Sequence, residues 1–344
     1  MTNKRQQRIL IVGAGSMGII TGYHLGLAGA ETTYLVRANR EEQLNRPQIL
    51  YCYNDNQLKE YRGYTYITDP LEMIGAAYDY IVITLDAVAL RNEAGQSLVE
   101  TIGRAVRGTE TKVILGAFFL NGRDWFVDKS GIAAEQVTNG LLGVMSYSPK
   151  AVTLPVHAPT NPELIAKADL AYIHTFDFGF IVDDSSPVVA NGFAEIYNAS
   201  LVSRCVSKPS MQYAAEFNPY FVVLVACELM GWPRLQDIDQ TTELWQLTVA
   251  ALKEVQRLSV HGELGQQAAS GTTESNLAAG LTAWEQASLP LDLQAFNRYH
   301  HGAKVNAQDH QALKDFVAYG EAEGQPMSAL KKFIQRVEHH KAIG

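Results

Sequence analysis

The most constraining stretch of the chain is Gly13-Ala14-Gly15-Ser16-Met17-Gly18, which follows the apolar run Ile9–Val12 and opens a helical pattern reaching Leu27. A strand, a glycine turn and a helix in register leave few options. The first glycine permits a tight turn, the second lets a ligand approach bare backbone, and the third lets helix and strand pack closely. Unpaired N–H groups at the helix start then suit a pyrophosphate. A glycine-rich turn without a ligand is the competing reading.

Arg37 lies about 20 residues beyond this turn, at the end of the second predicted strand, Thr32–Val36. An acid at that place accepts a hydrogen bond from the ribose 2′-hydroxyl of NAD. A guanidinium instead suits the 2′-phosphate of NADP through bidentate, charge-assisted bonds. NADP(H) is therefore the expected cofactor. Arg40 closes on the same phosphate, stacks on adenine, or is a solvated loop arginine; the sequence leaves the three open.

The rest of the first 206 residues alternates short apolar runs with helical patterns. Further strands are predicted at Tyr80–Leu85, Val113–Phe119, Leu141–Tyr147, Tyr172–Phe176, Phe180–Val182 and Leu201–Val206. Tyrosines alternating around an Asn-Asp-Asn turn between 51 and 67 predict a hairpin or edge insertion. Continuous β-branched runs suit parallel strands covered on both faces. From 207 onward the pattern is helical, over Tyr213–Met230, Thr242–His261, Asn276–Gln286, Asp309–Glu323 and Ala329–His340. Thr241 or Thr242 is the expected N-cap, Gly262 a C-cap, and Pro326 a helix start. The predicted class is α/β, a Rossmann-type doubly wound domain over 1–206 followed by an all-helical domain over 207–344.

A length of 344 residues accommodates two cores. The net charge of −8 argues against a general nucleic-acid or anionic-membrane surface. Cys52, Cys205 and Cys227 form no CxxC pair and read as reduced, buried thiols. The opening apolar run, broken by glycines after four residues, is too short for a signal peptide, and no stretch is apolar enough to span a bilayer. A cytoplasmic protein with a small-molecule substrate is expected, with a homodimer supported by the apolar helical faces.

With these residues in hand, the chain resembles the ketopantoate reductase (2-dehydropantoate 2-reductase) family. That family joins a Rossmann domain to a helical domain and reduces a 2-oxo acid with NADPH, in pantothenate biosynthesis. The resemblance is strongest over 9–40. It continues through Asn121-Gly122, similar to the family's Asn-Gly after a Rossmann strand, an asparagine near the nicotinamide. It resumes in Glu216-Phe217-Asn218-Pro219, similar to the family's Asn-Pro on the first helix of its second domain. His301–Leu313 and Ala322–Met327 look like distant forms of its last blocks. By this resemblance and the motif, the cofactor contacts are Gly13, Gly15, Ser16, Met17, Gly18, Arg37, Arg40 and Asn121.

The catalytic positions diverge. The family's lysine before the Asn-Pro falls on Ser210, two residues from Lys208, and its intervening asparagine falls on Ala214. Its second lysine falls on Asp86, and its substrate-binding acid falls on Asn306, with Asp309 a turn away. Reducing a ketone leaves an oxyanion that needs a proton or a positive charge. Lys208, Asn218 and Asp309 are the catalytic candidates. Tyr213 with Glu216, and His300 or His301, are alternative proton donors, against core-packing and solvated readings. Asp86, if it faced the substrate, would repel a carboxylate. The aromatics Phe118, Phe119, Trp125, Phe126 and Tyr147 either line an enlarged pocket or fill the core. The histidine pairs offer no shared metal face, and no metal is expected. The expected function is an NADPH-dependent reduction of a 2-oxo acid or related carbonyl or imine compound, the alternative being a non-catalytic NADP-binding sensor or scaffold.

Overall fold

The computed structural model describes residues 5–343. They form two compact units, one running to Thr153 and resuming over Ala158–Pro209, the other comprising Leu154–His157 and the chain from Ser210 onward.

The first unit is built on strands β1 (Arg8–Val12), β2 (Glu31–Leu35), β3 (Gln48–Cys52), β4 (Gln57–Tyr61), β5 (Thr65–Ile67), β6 (Tyr80–Ile83), β7 (Lys112–Leu115), β8 (Val137–Leu142), β9 (Val144–Tyr147), β10 (Leu170–His174), β11 (Phe180–Asp183) and β12 (Cys205–Lys208). Eight of them form one sheet in the order β12-β11-β8-β7-β6-β1-β2-β5. All pairings from β5 to β8 are parallel, and β11 runs antiparallel to β8. Strand β1 shows why this sheet is buried twice over. Ile9 and Ile11 join a cluster with Ile19 and Ile20 of helix Ser16–Leu27, whereas Leu10 and Val12 join another with Val99 and Ile102 of helix Glu93–Val106. Successive side chains point to opposite faces, so a run of four apolar residues requires cover on both. The doubly wound α/β class follows.

Several boundaries differ from expectation. Leu141–Tyr147 is two strands, because the chain leaves the large sheet at Gly143 and β9 pairs antiparallel with β10 in a second sheet, ordered β4-β3-β10-β9. The expected hairpin is β3–β4, turning through Asn54, Asp55 and a left-handed Asn56, but Thr65–Ile67 beyond it is an edge strand of the large sheet. Leu201, predicted as strand, is almost fully exposed with φ +58°, and β12 starts only at Cys205.

The second unit is helical: Ser210–Phe217, Tyr220–Leu229, Glu243–Gln256, Gly262–Gly271, Glu274–Ala287, Leu293–Tyr299, Asn306–Ala322 and Ser328–Ile343. The predicted helix over Tyr213–Met230 is interrupted at Asn218-Pro219, where proline has no N–H to continue the ladder. Thr242 caps its helix by accepting the Trp245 N–H at 3.2 Å. Pro326 does not start a helix. The last helix begins at Ser328, and the Glu254 carboxylate accepts the N–H groups of Ala329 and Leu330 at 3.0 and 2.8 Å. Residues Leu154–His157 join this unit through a Val156–Leu291 bridge and through His157 Nε2, 2.8 Å from Asp292 Oδ2. Among the described residues no helix is long and apolar enough to cross a membrane.

Candidate cofactor site

The glycine turn combines a left-handed glycine, a close helix contact and an open position. Gly13 has φ +101°, a backbone conformation that favours glycine, and its N–H donates to the Leu35 carbonyl at 3.0 Å. A Cβ on Gly18 would lie 2.1 Å from the Gly13 carbonyl oxygen, so helix and turn touch there. A Cβ on Gly15 would meet nothing within 4 Å. The close approach that glycine permits at 15 is therefore not used by the protein's own atoms, which fits a bound pyrophosphate. Ser16 is buried and Met17 packs on the core, and both lie in the first turn of a 12-residue helix, where N–H groups have no partner within the helix. Thr84, following β6, donates its hydroxyl to the Val12 carbonyl at 2.9 Å and ties the two strand ends together.

The two arginines differ. Arg37 is exposed and has no ion-pair partner among the described residues. It ends the segment that follows β2, beside the strand whose Leu35 carbonyl holds Gly13. Arg40 is not a solvated arginine: its guanidinium donates to the Ala14 carbonyl at 3.0 Å, within the glycine turn. Arg40 is thus held at the glycine turn, while Arg37, three residues before it, is exposed.

Asn121 follows β7 in the left-handed region, φ +54°, at the N-cap of helix Gly122–Ser130, and its side chain caps nothing there. A non-glycine residue held in that conformation marks a constrained position. The turns after β1, β6 and β7 all lie at the carboxyl edge of the parallel strands, with β1 at the point where the strand order reverses. Open α/β sheets bind ligands at that edge and that point.

The structure assigns other work to several catalytic candidates. Asp86 is a helix N-cap: its Oδ1 accepts the Ala89 N–H at 2.7 Å. Asn218 is buried, and its Nδ2 donates to His261 Nε2 at 2.9 Å while His261 Nδ1 donates to the Val255 carbonyl at 2.9 Å. Burial holds that imidazole below its ordinary pKa, so Asn218 serves a neutral core histidine. Lys208 ends β12, level with Asp183. The row of paired residues runs from Val12 through Ile83, Leu115 and Asn139 to Asp183. Lys208 is therefore on the level of the glycine turn but five strands away, about 24 Å at the usual strand spacing.

Asp309 is buried, accepts from His301 Nδ1 at 2.8 Å through Oδ2, and has no hydrogen-bond partner at Oδ1 among the described residues. Burial pushes its carboxyl above the ordinary value, with His301 opposing the shift. His301 lies in a π-helical turn, His300–Lys304, a form frequent at functional sites. Nearby, Glu228 Oε2 accepts from Asn306 Nδ2 at 3.0 Å and lies 2.6 Å from His310 Nε2. An acid is thus present beside Asn306 but comes from 78 residues earlier in the chain. No local sequence signal reveals it. Tyr213 is buried against Phe217, and Glu216 accepts from Gln212 at 2.6 Å. Phe119, Phe126 and Tyr147 are core residues, and Trp125 packs edge-on to Phe119. Among the described residues no group of three or more His, Cys, Asp or Glu side chains is placed to hold a metal.

Residues 9–107 match the family model described as ketopantoate reductase PanE/ApbA. Over that segment, less than a third of its length, the chain is similar to that family. No curated protein matches it in sequence. Among solved structures, the 2-dehydropantoate 2-reductase of Geobacter metallireducens is 16% identical, with 97% of this chain and 99% of that one covered at a TM-score of 0.65. A ketopantoate reductase of Ralstonia eutropha is 14% identical, with 96% and 97% covered and a TM-score of 0.64. D-mandelate dehydrogenase, in a ternary structure with NADH and anilino(oxo)acetate, is 11% identical, with 97% of each chain covered and a TM-score of 0.63. These likenesses show that the chain shares the fold of those proteins.

Proposed function

We propose that the protein is an NADP(H)-dependent reductase of a 2-oxo acid. The observation that carries the reading is the glycine turn open at Gly15, with Arg37 exposed and Arg40 tied to Ala14 beside it. Bound NADPH would supply the hydride. Gly15, Ser16 and Met17 would present N–H groups to its pyrophosphate, Arg37 and Arg40 would pair with its 2′-phosphate, and Asn121 would flank its nicotinamide end. The D-mandelate dehydrogenase structure contains NADH, but the position after β2 here carries a cation, which favours the phosphorylated cofactor. Its ligand, anilino(oxo)acetate, carries an aromatic ring on an oxo acid, so bulky aryl 2-oxo acids belong beside ketopantoate in any substrate test.

The experiment is NADPH oxidation by the purified full chain with ketopantoate and with phenylglyoxylate. Turnover with either supports the reading. Tight NADPH binding without turnover on any 2-oxo acid supports the second reading, a non-catalytic NADP-binding sensor or scaffold. Asp86 and Asn218, occupied by capping and by His261, are what that reading would expect.

A further inference from the structure

Parallel pairing of β1 with β6 sets Val12 opposite Ile83, which brings the next two residues, Gly13 and Thr84, side by side at the carboxyl edge of the sheet. The Thr84 hydroxyl lies 2.9 Å from the Val12 carbonyl oxygen and 3.2 Å from that of Gly13. Its N–H donates to the Val12 carbonyl at 3.0 Å. We infer that Thr84 is a positioning residue for the cofactor, one that presets the backbone of the glycine turn to receive a pyrophosphate. The inference rests on the proposed dinucleotide site.

Three features support it. The first is peptide geometry. A trans peptide is planar, and its C=O and N–H point in opposite directions. The cis bonds of the described chain are at Ala158-Pro159 and Leu289-Pro290, so those of the turn are trans. A hydroxyl shared between the Val12 and Gly13 carbonyls therefore turns the Ala14 N–H away from Thr84. The next plane is fixed in the same way. Arg40 donates to the Ala14 carbonyl at 3.0 Å, which turns the Gly15 N–H away from the guanidinium. The plane before them is held by the Gly13 N–H, which donates to the Leu35 carbonyl. Three consecutive peptides are thus fixed by β2, Thr84 and Arg40. Among the described residues neither the Ala14 nor the Gly15 N–H donates to another backbone group, and Gly15 is exposed. Fixed, undonated N–H groups beside a helix start suit an anion.

The second is contact. A Cβ on Gly13 would lie 3.0 Å from Thr84 Oγ1, and one on Gly18 would lie 2.9 Å from it. The same oxygen therefore touches the start of the turn and the first turn of helix Ser16–Leu27, and sets one against the other. The third is proton supply. A hydroxyl has a single proton to donate, and here backbone carbonyls take it. The effect of Thr84 on a ligand therefore passes through the backbone, which makes it a positioning group.

The test is calorimetric titration of the full chain with NADPH and with adenosine 2′-monophosphate, which has the 2′-phosphate but no pyrophosphate. Thr84→Val keeps the branched shape and removes the donor. It is expected to weaken NADPH binding about threefold to tenfold and to leave binding of the monophosphate unchanged. Thr84→Ser restores the donor and is expected to recover NADPH binding to within about twofold. Unchanged binding of the monophosphate also shows that the variants are folded. Equal NADPH binding by Thr84→Val and the unaltered chain would overturn the inference, as would parallel loss of monophosphate binding or no recovery in Thr84→Ser. If the unaltered chain bound neither ligand, the cofactor reading would fall, and the inference with it. Thr84-dependent NADPH binding in a protein that reduces no 2-oxo acid would uphold the inference and reject the reductase reading.

Discussion

Gly18 stands so close to Gly13 that a methyl group on the former would lie 2.1 Å from the carbonyl oxygen of the latter, whereas a methyl group on Gly15 would enter open space. The two positions therefore separate folding from binding. Gly18→Ala is expected to destabilise the chain by about 1–3 kcal/mol through overpacking against backbone that cannot rotate away. Gly15 has φ −76°, which alanine adopts freely, so Gly15→Ala is expected to leave stability within about 0.5 kcal/mol while weakening NADPH binding. Urea unfolding and NADPH fluorescence titration on both variants check the contrast. Equal stability losses would remove it.

Under the proposed reading, Arg37 and Arg40 have separable tasks. Arg37→Asp is expected to lower affinity for NADPH by about tenfold to a hundredfold and to raise that for NADH, since the acid repels a phosphate and accepts from a ribose hydroxyl. Arg40→Ala removes a bond to the Ala14 carbonyl and is expected to weaken both cofactors, NADPH more. Parallel titrations with the two cofactors read the difference.

Asn218→Ala is expected to destabilise the chain by about 1–3 kcal/mol, because His261 Nε2 loses its donor in a buried setting. NADPH affinity should be unaffected. Any loss of turnover in this variant that exceeds its loss of folded protein would show that Asn218 also reaches substrate.

Acid should destabilise the first unit through His24. This side chain is fully buried, its Nδ1 lies 2.6 Å from Tyr197 Oη, and its ring stacks 5.1 Å from that of His174. Burial, with His174 adding to it, pushes the imidazole down to about 3. The folded form thus binds its proton less readily than the unfolded chain, whose histidine titrates near 6.5. The stabilising effect is complete above about pH 6.5 and is lost as pH falls toward 3, at about 1.4 kcal/mol per pH unit. Unfolding midpoints measured from pH 7 to pH 4 should fall with that slope or more, since burial lowers His174 as well. His24→Gln should flatten the dependence; an unchanged slope in that variant would assign the acid sensitivity elsewhere.

What the sequence reveals and what it hides divide along physical lines. The glycine turn is legible because each glycine meets a local steric demand of the strand, turn and helix it joins. Parallel strands are legible as apolar runs because both faces are covered, as Ile9 through Val12 show. The break inside Leu141–Tyr147 is not, because β8 and β9 are equally apolar and only their pairing partners differ. Asp86 and Asn218 look chemically available in sequence, yet a cap and a buried histidine occupy them. Glu228 meets Asn306 and His310 only through the packing of distant helices.

The proposed cofactor preference turns on Arg37, the cation just beyond the second strand. The most direct measurement is titration of the unaltered full chain with NADPH and with NADH under the same conditions. The expected result is binding of NADPH at least tenfold tighter than NADH, and loss of that preference in Arg37→Asp. Equal or tighter binding of NADH, or binding of neither, would contradict the account.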